Sequence, residues 1–475
     1  MQNKKTVKEA VFLVLALIVM IGSRFMPATA GLSKDAWAVL GVFFGSLIMW
    51  IGISIDWPSM ITLMALGLIP VFGFSGTFAG AFGNTTVAFL LFTFMLVYPL
   101  SKTHFVRRCA IAFITNKIAR KGPWHFICFV FAAVTFMGLF ISPSVLFVAF
   151  MPFLEDIFKV LELKKGGKVG NVLMMGTAFC ISLSSGMTAI GHVWPTMAIG
   201  YYTASTGKDI NQFQYMAMGI PTGIILIIIL ILIFKFIYRP DDINTINPEK
   251  AMSLRGTVPE ADAKEKIILA VMFLTVFLWV FPSLVKGVLP KFYETVNGWS
   301  TAMPPLLGCI ILFIVHVDGE RIMNFKETAS KGVLWGSILM TAAATQLGAC
   351  LTGALQPLTA HMPVIGMILF FTTWAVIETN FSSNIVTTTV VSAVALSVLS
   401  ALPSGSVNIA AVVSMVGFAA AISNMTPAGQ STVNTVAIGS GWTDTKSMFI
   451  WGGLFAIAGI IVLSFIAYPL GSLVM

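Results

Sequence analysis

Apolar segments separated by short polar connections occupy most of the chain, in a pattern typical of membrane-spanning helices. About 20 apolar residues span the ~30 Å hydrocarbon core of a bilayer, so each segment near that length predicts one crossing. The pattern predicts about eleven crossings, which lie at 9–28, 36–53, 57–73, 85–101, 169–201, 216–238, 267–283, 302–316, 332–353, 404–440 and 448–470.

Two further apolar stretches, 124–158 and 365–401, are too long for one crossing and carry a polar motif near the middle. The motifs are Ile141-Ser-Pro-Ser144 and Glu378-Thr-Asn-Phe-Ser-Ser-Asn-Ile-Val-Thr-Thr-Thr389, and they lie 241 residues apart when Ser142 is aligned with Ser383. Polar side chains are costly inside a bilayer and mark pathways or sites. We therefore predict two re-entrant helical hairpins, whose non-helical tips must be surrounded by protein or water.

Each predicted hairpin precedes a long span that is interrupted at mid-depth. The interruptions are Ser184-Ser-Gly-Met-Thr-Ala-Ile-Gly-His-Val-Trp-Pro195 in span 169–201 and Ser423-Asn-Met-Thr-Pro-Ala-Gly-Gln-Ser431 in span 404–440. Glycine and proline there free backbone groups, so that carbonyls can coordinate a cation and half-helix N-termini can hold a carboxylate. Proline kinks and hydroxyl side chains also occur in membrane helices without a site, but two matched pairs favour a site.

The domain organisation follows from the polar stretch 239–266, which predicts a cytoplasmic linker. Residues 1–35 are expected to form an N-terminal helix, 36–238 a first repeat and 267–475 a second repeat. Five crossings in each repeat is an odd number, so consecutive copies must insert in opposite orientations. The predicted fold is therefore an all-α polytopic membrane protein with two inverted repeats.

Composition and charge agree with a membrane protein. The chain is 57% hydrophobic and 10% charged, with a mean hydropathy of +0.93, which excludes an ordinary soluble protein. Lysine and arginine collect in loops on one side, which explains the net charge of +9 and predicts no nucleic-acid partner. The same bias predicts a multi-pass protein of the cell membrane with a cytoplasmic N-terminus and an external C-terminus. The five cysteines are scattered and indicate neither a disulfide framework nor a metal site.

The sequence resembles the divalent anion/sodium symporters, the INDY-like family of dicarboxylate and citrate transporters. The resemblance rests on Gly83-Asn-Thr-Thr-Val-Ala-Phe-Leu-Leu-Phe92, on the basic run Lys102-Thr-His-Phe-Val-Arg-Arg108 and on the layout of both hairpins. It implies a homodimer in which the hairpins and broken helices form the mobile, elevator-type transport domain and the other helices form the scaffold. It also implies a dianionic substrate, with sodium as the coupling ion and no other cofactor.

The second half follows the family pattern of Ser-Asn-Thr at the hairpin tip and a Thr-Pro break. Ser383 and Asn384 match the tip, Ile385 replaces its threonine, and Thr426 and Pro427 match the break. By resemblance these five residues contact the substrate. The resemblance also implies a sodium site formed by Thr379, Ser382, Asn384 and Met425.

The first half departs further from the family pattern. Ser142-Pro143-Ser144 replaces Ser-Asn-Thr, glycine stands at position 138 where serine is frequent, and His192-Val-Trp-Pro195 replaces Thr-Pro-Pro-Asn. By resemblance Ser142, Pro143, Ser144, Gly191 and His192 contact the substrate, and Ser142, Gly138 and Gly191 form another sodium site. The departures count against that first sodium site.

Two ionisable residues leave alternatives open. His192 could supply positive charge to a dianion or sense pH, but a histidine in an apolar helix can also be a hydrogen-bonded packing residue. Glu378 lies just before the second tip, where a carboxylate either serves function or simply caps a helix and faces water.

The expected function is sodium-coupled secondary transport of small di- or tricarboxylates such as succinate, malate, fumarate, 2-oxoglutarate or citrate. Alternatives are a sodium-independent carboxylate exchanger and a carrier of sulfate-type dianions. An enzyme is not expected, because the sequence has no paired aspartate motifs or clustered histidines. A channel is less suited to paired hairpin tips beside broken helices than an alternating gate.

Overall fold

The computed structural model describes residues 2–28, 32–190, 192–355, 363–400, 402–403 and 405–475, most of which lie in helices. Gly191, one of the predicted site residues, lies outside the described residues. The first half contains α1 (Gln2–Gly22), α2 (Lys34–Gly52), α3 (Pro58–Gly67), α4 (Phe74–Phe82), α5 (Thr85–Val97), α6 (Phe105–Ile114), α7 (Pro123–Gly138), α8 (Pro143–Val160), α9 (Lys168–Met187), α10 (Val193–Thr206) and α11 (Gln212–Leu232).

The second half contains α12 (Ala263–Leu284), α13 (Pro290–Asn297), α14 (Met303–Ile314), α15 (Phe325–Glu327), α16 (Trp335–Leu355), α17 (Val364–Phe381), α18 (Asn384–Ser400), α19 (Ile409–Ala419), α20 (Ser431–Gly439), α21 (Thr445–Val462) and α22 (Tyr468–Val474). Strands β1 (His316–Val317) and β2 (Glu320–Arg321) form a short antiparallel pair. Short 3₁₀ or π segments lie at Ser23–Phe25, Tyr98–Lys102, Ala119–Lys121, Ile233–Tyr238, Ile243–Thr245, Pro248–Leu254, Thr328–Gly332 and Leu463–Ala467.

Several helices are long and apolar enough to cross a bilayer, as expected of a multi-pass membrane protein. Among the described residues there are seven, or eight if a pair bent by 68° at residues 333–334 counts as one span. About eleven crossings therefore remain a prediction. The predicted span 57–73 is the ten-residue α3 followed by a turn, because Pro70 and Gly73 interrupt a stretch that hydropathy alone treats as continuous. The predicted span 302–316 likewise contains only the twelve-residue α14.

Short turns join the helices within both stretches that predict hairpins. Residues 139–142 connect α7 to α8, and residues 382–383 connect α17 to α18. Pro143 occupies the first turn of α8, where its missing N–H costs no intrahelical hydrogen bond. Helix α7 packs along α9, and α17 packs along α19, so each turn lies beside the broken helix of its own half.

The broken helices of the two halves pack against each other. Helix α9 stops at Met187 before α10 begins, and α19 stops at Ala419 before α20 begins. Helix α19 packs closely on α10 because Gly417 lacks a side chain: a Cβ there would lie 2.8 Å from the Cβ of Ala198 and 3.2 Å from the Cα of Pro195. Both interruptions are therefore brought into one buried region.

The linker after α11 is fastened to helices of the first half by ion pairs. Arg120 lies 3.1 Å from Glu249, and Lys250 lies 2.7 Å from Glu162. The hydrogen bond from Lys250 lowers the pKa of Glu162, so this pair stays ionised at neutral pH. These contacts hold the linker against α8 and against the short segment Ala119–Lys121 that precedes α7.

The helix crossing predicts a steric penalty at Gly417. Gly417→Ala should destabilise the protein by about 1–3 kcal/mol, because rigid atoms of Ala198 and Pro195 must move to admit a methyl group. The midpoint of thermal unfolding in detergent measures the effect. Gly439→Ala is the matched control, since nothing lies within 4 Å of its added Cβ. Equal midpoints for the two variants would contradict the packing described here.

Candidate functional site

The first turn is tied to the first interruption by two hydrogen bonds. Nε2 of His192 lies 2.9 Å from the carbonyl oxygen of Gly138, and Oγ1 of Thr188 donates to the carbonyl oxygen of Leu139 at 2.7 Å. The imidazole of His192 is only 1% exposed, and its Nδ1 has no partner among the described residues. His192 therefore packs between α7 and α10 with one ring nitrogen engaged and the other free.

The residues of the first turn itself differ in exposure. Pro143 is buried, Ser142 is half-buried and Ser144 is exposed. The side chain of Ser142 does not cap α8, so its hydroxyl is available at the turn. It borders a cavity of about 150 Å³ that is lined by Phe94, Val97, Tyr98, Ser101, Ser142, Val145, Lys331, Gly332 and Leu334.

Asn380, which sequence analysis did not select, fastens the second interruption to α17. Its Nδ2 donates to the carbonyl oxygens of Val376 and Ile422, each at 2.7 Å, and its Oδ1 accepts from the amide of Met425 at 2.8 Å. The hydroxyl of Thr426 donates to the backbone carbonyl of Asn380. Asn380 is fully buried, and an amide in an apolar helix needs such partners, which was the available signal in the sequence.

The predicted sodium ligands of the second half lie around the same contacts. Oγ1 of Thr379 donates to the carbonyl oxygen of Ala420 at 3.0 Å, and Met425 is held through Asn380. A Cβ at Gly429 would lie 2.8 Å from the carbonyl oxygen of Thr379, so that carbonyl and the second break are in close contact. Ser382 is half-buried at the turn. Hydroxyl, amide and carbonyl oxygens are the ligand types that hard cations prefer.

Asn384 and Gln430 form a buried amide pair between the second turn and the second interruption. Nδ2 of Asn384 lies 3.1 Å from Oε1 of Gln430 and 3.1 Å from Oγ of Ser423. Oδ1 of Asn384 and Nε2 of Gln430 are buried without a hydrogen-bond partner among the described residues. Turning both amides over would keep the bond between them, so in either arrangement the pair offers one free acceptor and one free donor.

Gln430 was quoted in the interruption but not selected as a site residue from the sequence. The family pattern draws attention to the Thr-Pro pair, three residues earlier. In the structure Thr426 is half-buried and Pro427 is exposed, whereas Gln430 is only 7% exposed. Of the predicted tip residues, Ser383 is half-buried and Ile385 is buried.

A second group of amides connects the two halves of the chain. Nδ2 of Asn424 donates to Oγ of Ser182 on α9 at 3.0 Å and to Oδ1 of Asn434 at 2.8 Å. Nδ2 of Asn434 donates in turn to the carbonyl oxygens of Ser423 and Thr426, at 2.9 and 2.7 Å. The loop that carries the second interruption is thus held by side chains on α9, α17 and α20.

Neutral groups make up this polar cluster. The hydrogen bonds described for Asn380, Asn384, Asn424 and Gln430 involve amides, hydroxyls and backbone carbonyls, with neither lysine nor arginine. Glu378 is half-buried one helical turn before the second tip, and its Oε2 has no hydrogen-bond partner among the described residues. A negatively charged ligand in the cluster would therefore need positive charge from a co-bound cation or from helix N-termini.

Broken helices that meet at a buried polar cluster in a multi-pass membrane protein are typical of secondary transporters. The family described as the sodium:sulfate symporter transmembrane region matches residues 7–475, and the chain belongs to this family. The family resemblance found in the sequence is confirmed. The chain is accordingly a membrane transporter and not an enzyme.

Two relatives and one solved structure are similar to this chain. The sodium-dependent dicarboxylate transporter SdcS of Staphylococcus saprophyticus is 22% identical over 464 residues, which cover 90% of this chain and 86% of the relative. The chloroplastic dicarboxylate transporter 1 of Spinacia oleracea is 22% identical over 334 residues, covering 67% of this chain and 54% of the relative. The YdaH transporter of Alcanivorax borkumensis shares the fold, with a TM-score of 0.50, 13% identity and 98% coverage of each chain.

The hydrogen bonds of Asn380 predict a large structural effect of its removal. Asn380→Ala should destabilise the protein by about 2 kcal/mol, because it leaves the buried carbonyl of Ile422 and the half-buried amide of Met425 unpaired. Thermal unfolding of the purified variant measures this loss. Thr435→Ala, an exposed position on α20, is the control. If both variants unfolded at the same temperature, the hydrogen bonds of Asn380 would not stabilise the second interruption as described here.

Proposed function

We propose that the protein is a sodium-coupled secondary transporter of small dicarboxylates that works by an elevator mechanism. Membership of the family supports ion-coupled anion transport, and the relatives described above are dicarboxylate transporters, one of them sodium-dependent. The observation that carries the proposal is the buried pair of Asn384 and Gln430, with its free acceptor and free donor.

The two free atoms match a cation and a carboxylate bound side by side. A buried polar atom without a partner costs about 1–3 kcal/mol, so a ligand that satisfies both atoms gains binding energy from each. A sodium ion can bind Oδ1 of Asn384, and a carboxylate oxygen can accept from Nε2 of Gln430. The N-termini of α18 and α20 would favour the same negative charge.

This arrangement explains how ion and substrate could be coupled. Without a lysine or arginine in the described hydrogen bonds of the cluster, a dianion gains its compensating charge chiefly by binding together with sodium. Two ligands that favour each other's binding do so reciprocally, so the substrate also raises the affinity for sodium. Such mutual dependence is the thermodynamic requirement for symport.

The hydrogen bonds between turns and interruptions support a single moving unit. His192 links α7 to the first break, Asn380 links α17 to the second break, and Asn424 links the second break to α9. We propose that these elements form the transport domain. The remaining helices would then be the scaffold of a homodimer, with the transport domain sliding against it.

Two other functions each have an observation in their favour. A sodium-independent carboxylate exchanger is favoured by the first half, where His192 engages a carbonyl at the turn. A sulfate-type dianion carrier is favoured by the family's description. Both alternative functions would use the same binding site in a protein of the same family.

Transport measurements with purified protein in liposomes separate these functions. We expect succinate uptake into vesicles that contain no carboxylate, driven by an inward sodium gradient and lost when choline replaces sodium. Excess sulfate should compete weakly with succinate. Uptake that needs internal carboxylate and ignores sodium would identify an exchanger, and strong competition by sulfate would identify the third function.

The free donor of Gln430 predicts a specific loss of substrate affinity. Gln430→Leu should raise the KM for succinate about tenfold or more, since a hydrogen bond to a charged group contributes about 1.5–3 kcal/mol. Gln430→Glu should raise it further, because a second carboxylate repels the substrate. Initial uptake rates at saturating sodium give the KM values.

The control for these variants is again Thr435→Ala, on the exposed face of α20. All variants should unfold at temperatures close to that of the wild type. When Gln430 is replaced, Asn384 still keeps its hydrogen bond to Ser423. A KM for Gln430→Leu equal to that of the control would remove Gln430 from the substrate site.

A further inference from the structure

We propose that His192 takes the place of a sodium ion in the first half, so that the second half alone binds the coupling ion. The inference rests on the proposed function, because it concerns where the proposed coupling ion binds. It departs from the expectation of a first sodium site at Ser142, Gly138 and Gly191, of which Gly191 lies outside the described residues.

The hydrogen bonds to the carbonyl groups at the end of α7 are the first reason to place no sodium ion in the first half. The last carbonyls of a helix have no partner within the helix, and in a buried region a cation or a donor must satisfy them. Here Nε2 of His192 engages Gly138 at 2.9 Å, and the hydroxyl of Thr188 engages Leu139 at 2.7 Å. Each of these two carbonyl oxygens therefore already accepts a hydrogen bond from a side chain of the first break.

The chemistry of the His192 imidazole is the second reason to place no sodium ion in the first half. A carbonyl only accepts, so Nε2 must carry a proton, and in the neutral ring Nδ1 then carries the lone pair. Nitrogen is a poor ligand for a hard cation compared with oxygen, so the free Nδ1 does not restore a sodium site. The neighbouring space is also filled, because a Cβ at Gly138 would overlap Oγ of Ser184.

Comparison of the two turns supplies the third reason. With the halves aligned at an offset of 241 residues, Pro143 corresponds to Asn384. Proline has neither a side-chain amide nor an N–H group, whereas Asn384 leaves Oδ1 buried and free. Of the two turns, as far as their residues are described, only the second combines an unpaired amide oxygen with the oxygens of Thr379 and Ser423 around one break.

Sodium binding to the purified full-length protein tests the inference without transport. We expect sodium, but not potassium or choline, to raise the thermal unfolding midpoint of the wild type, because a ligand stabilises the state that it binds. Asn384→Ala should lose this sodium-specific shift completely. A sodium-specific shift that persists in Asn384→Ala would overturn the inference, because it would reveal an ion bound elsewhere.

Sodium activation of succinate uptake is the second measurement. The wild type should give a Hill coefficient of about 1, as expected for a single ion. His192→Gln should keep that curve, because glutamine offers an Nε2–H donor of similar reach. His192→Ala frees the carbonyl of Gly138, and we expect it to require several-fold more sodium.

The outcomes separate this inference from the proposed function. A wild-type Hill coefficient of about 2, or identical sodium curves for His192→Ala and His192→Gln, would overturn the inference. Sodium-independent uptake without any sodium-specific thermal shift would overturn the proposed sodium coupling and the inference that rests on it, whereas sodium-dependent uptake with a wild-type Hill coefficient of about 2 would overturn the inference alone. If His192→Ala does not fold, the wild type and Asn384→Ala still decide the question.

Discussion

The need to satisfy backbone groups released inside a membrane protein governs the centre of this structure. Each interruption removes helical hydrogen bonds in a region where water is scarce, and every carbonyl or amide left unpaired costs free energy. Asn380, Asn434 and His192 meet that need with side-chain hydrogen bonds that reach across separate helices. The breaks are therefore fixed structures, which a binding site requires of its backbone.

The two halves meet the same need with different chemistry, and the difference has consequences. In the second half amides hold the break, and one amide pair retains a free acceptor and a free donor. In the first half an imidazole and a hydroxyl engage the turn carbonyls. The two halves of the chain can thus differ in function while each still satisfies its backbone.

Local sequence signals predicted the turns and breaks, but not the contacts that join them. Glycine and proline mark both interruptions, and the family pattern led to Asn384 and Thr426, because these signals lie within short stretches of chain. Asn380 bonds to Ile422, 42 residues away, and such distant pairs cannot be recognised from one sequence. Hydropathy also merged the apolar residues on both sides of Pro70 into one span, and it overlooked α4, whose nine residues are too few for a crossing.

Charge balance in the proposed site favours a single sodium ion. A helix N-terminus acts as roughly half a positive charge, so the starts of α18 and α20 together offset about one charge of a dianion. One sodium ion offsets the other, and the bound complex is then close to neutral. A second ion would leave excess positive charge in a low-dielectric region, where uncompensated charge is costly. The neutral character of the amide cluster and the engaged carbonyl of Gly138 therefore support the proposed single sodium ion by independent physical reasons.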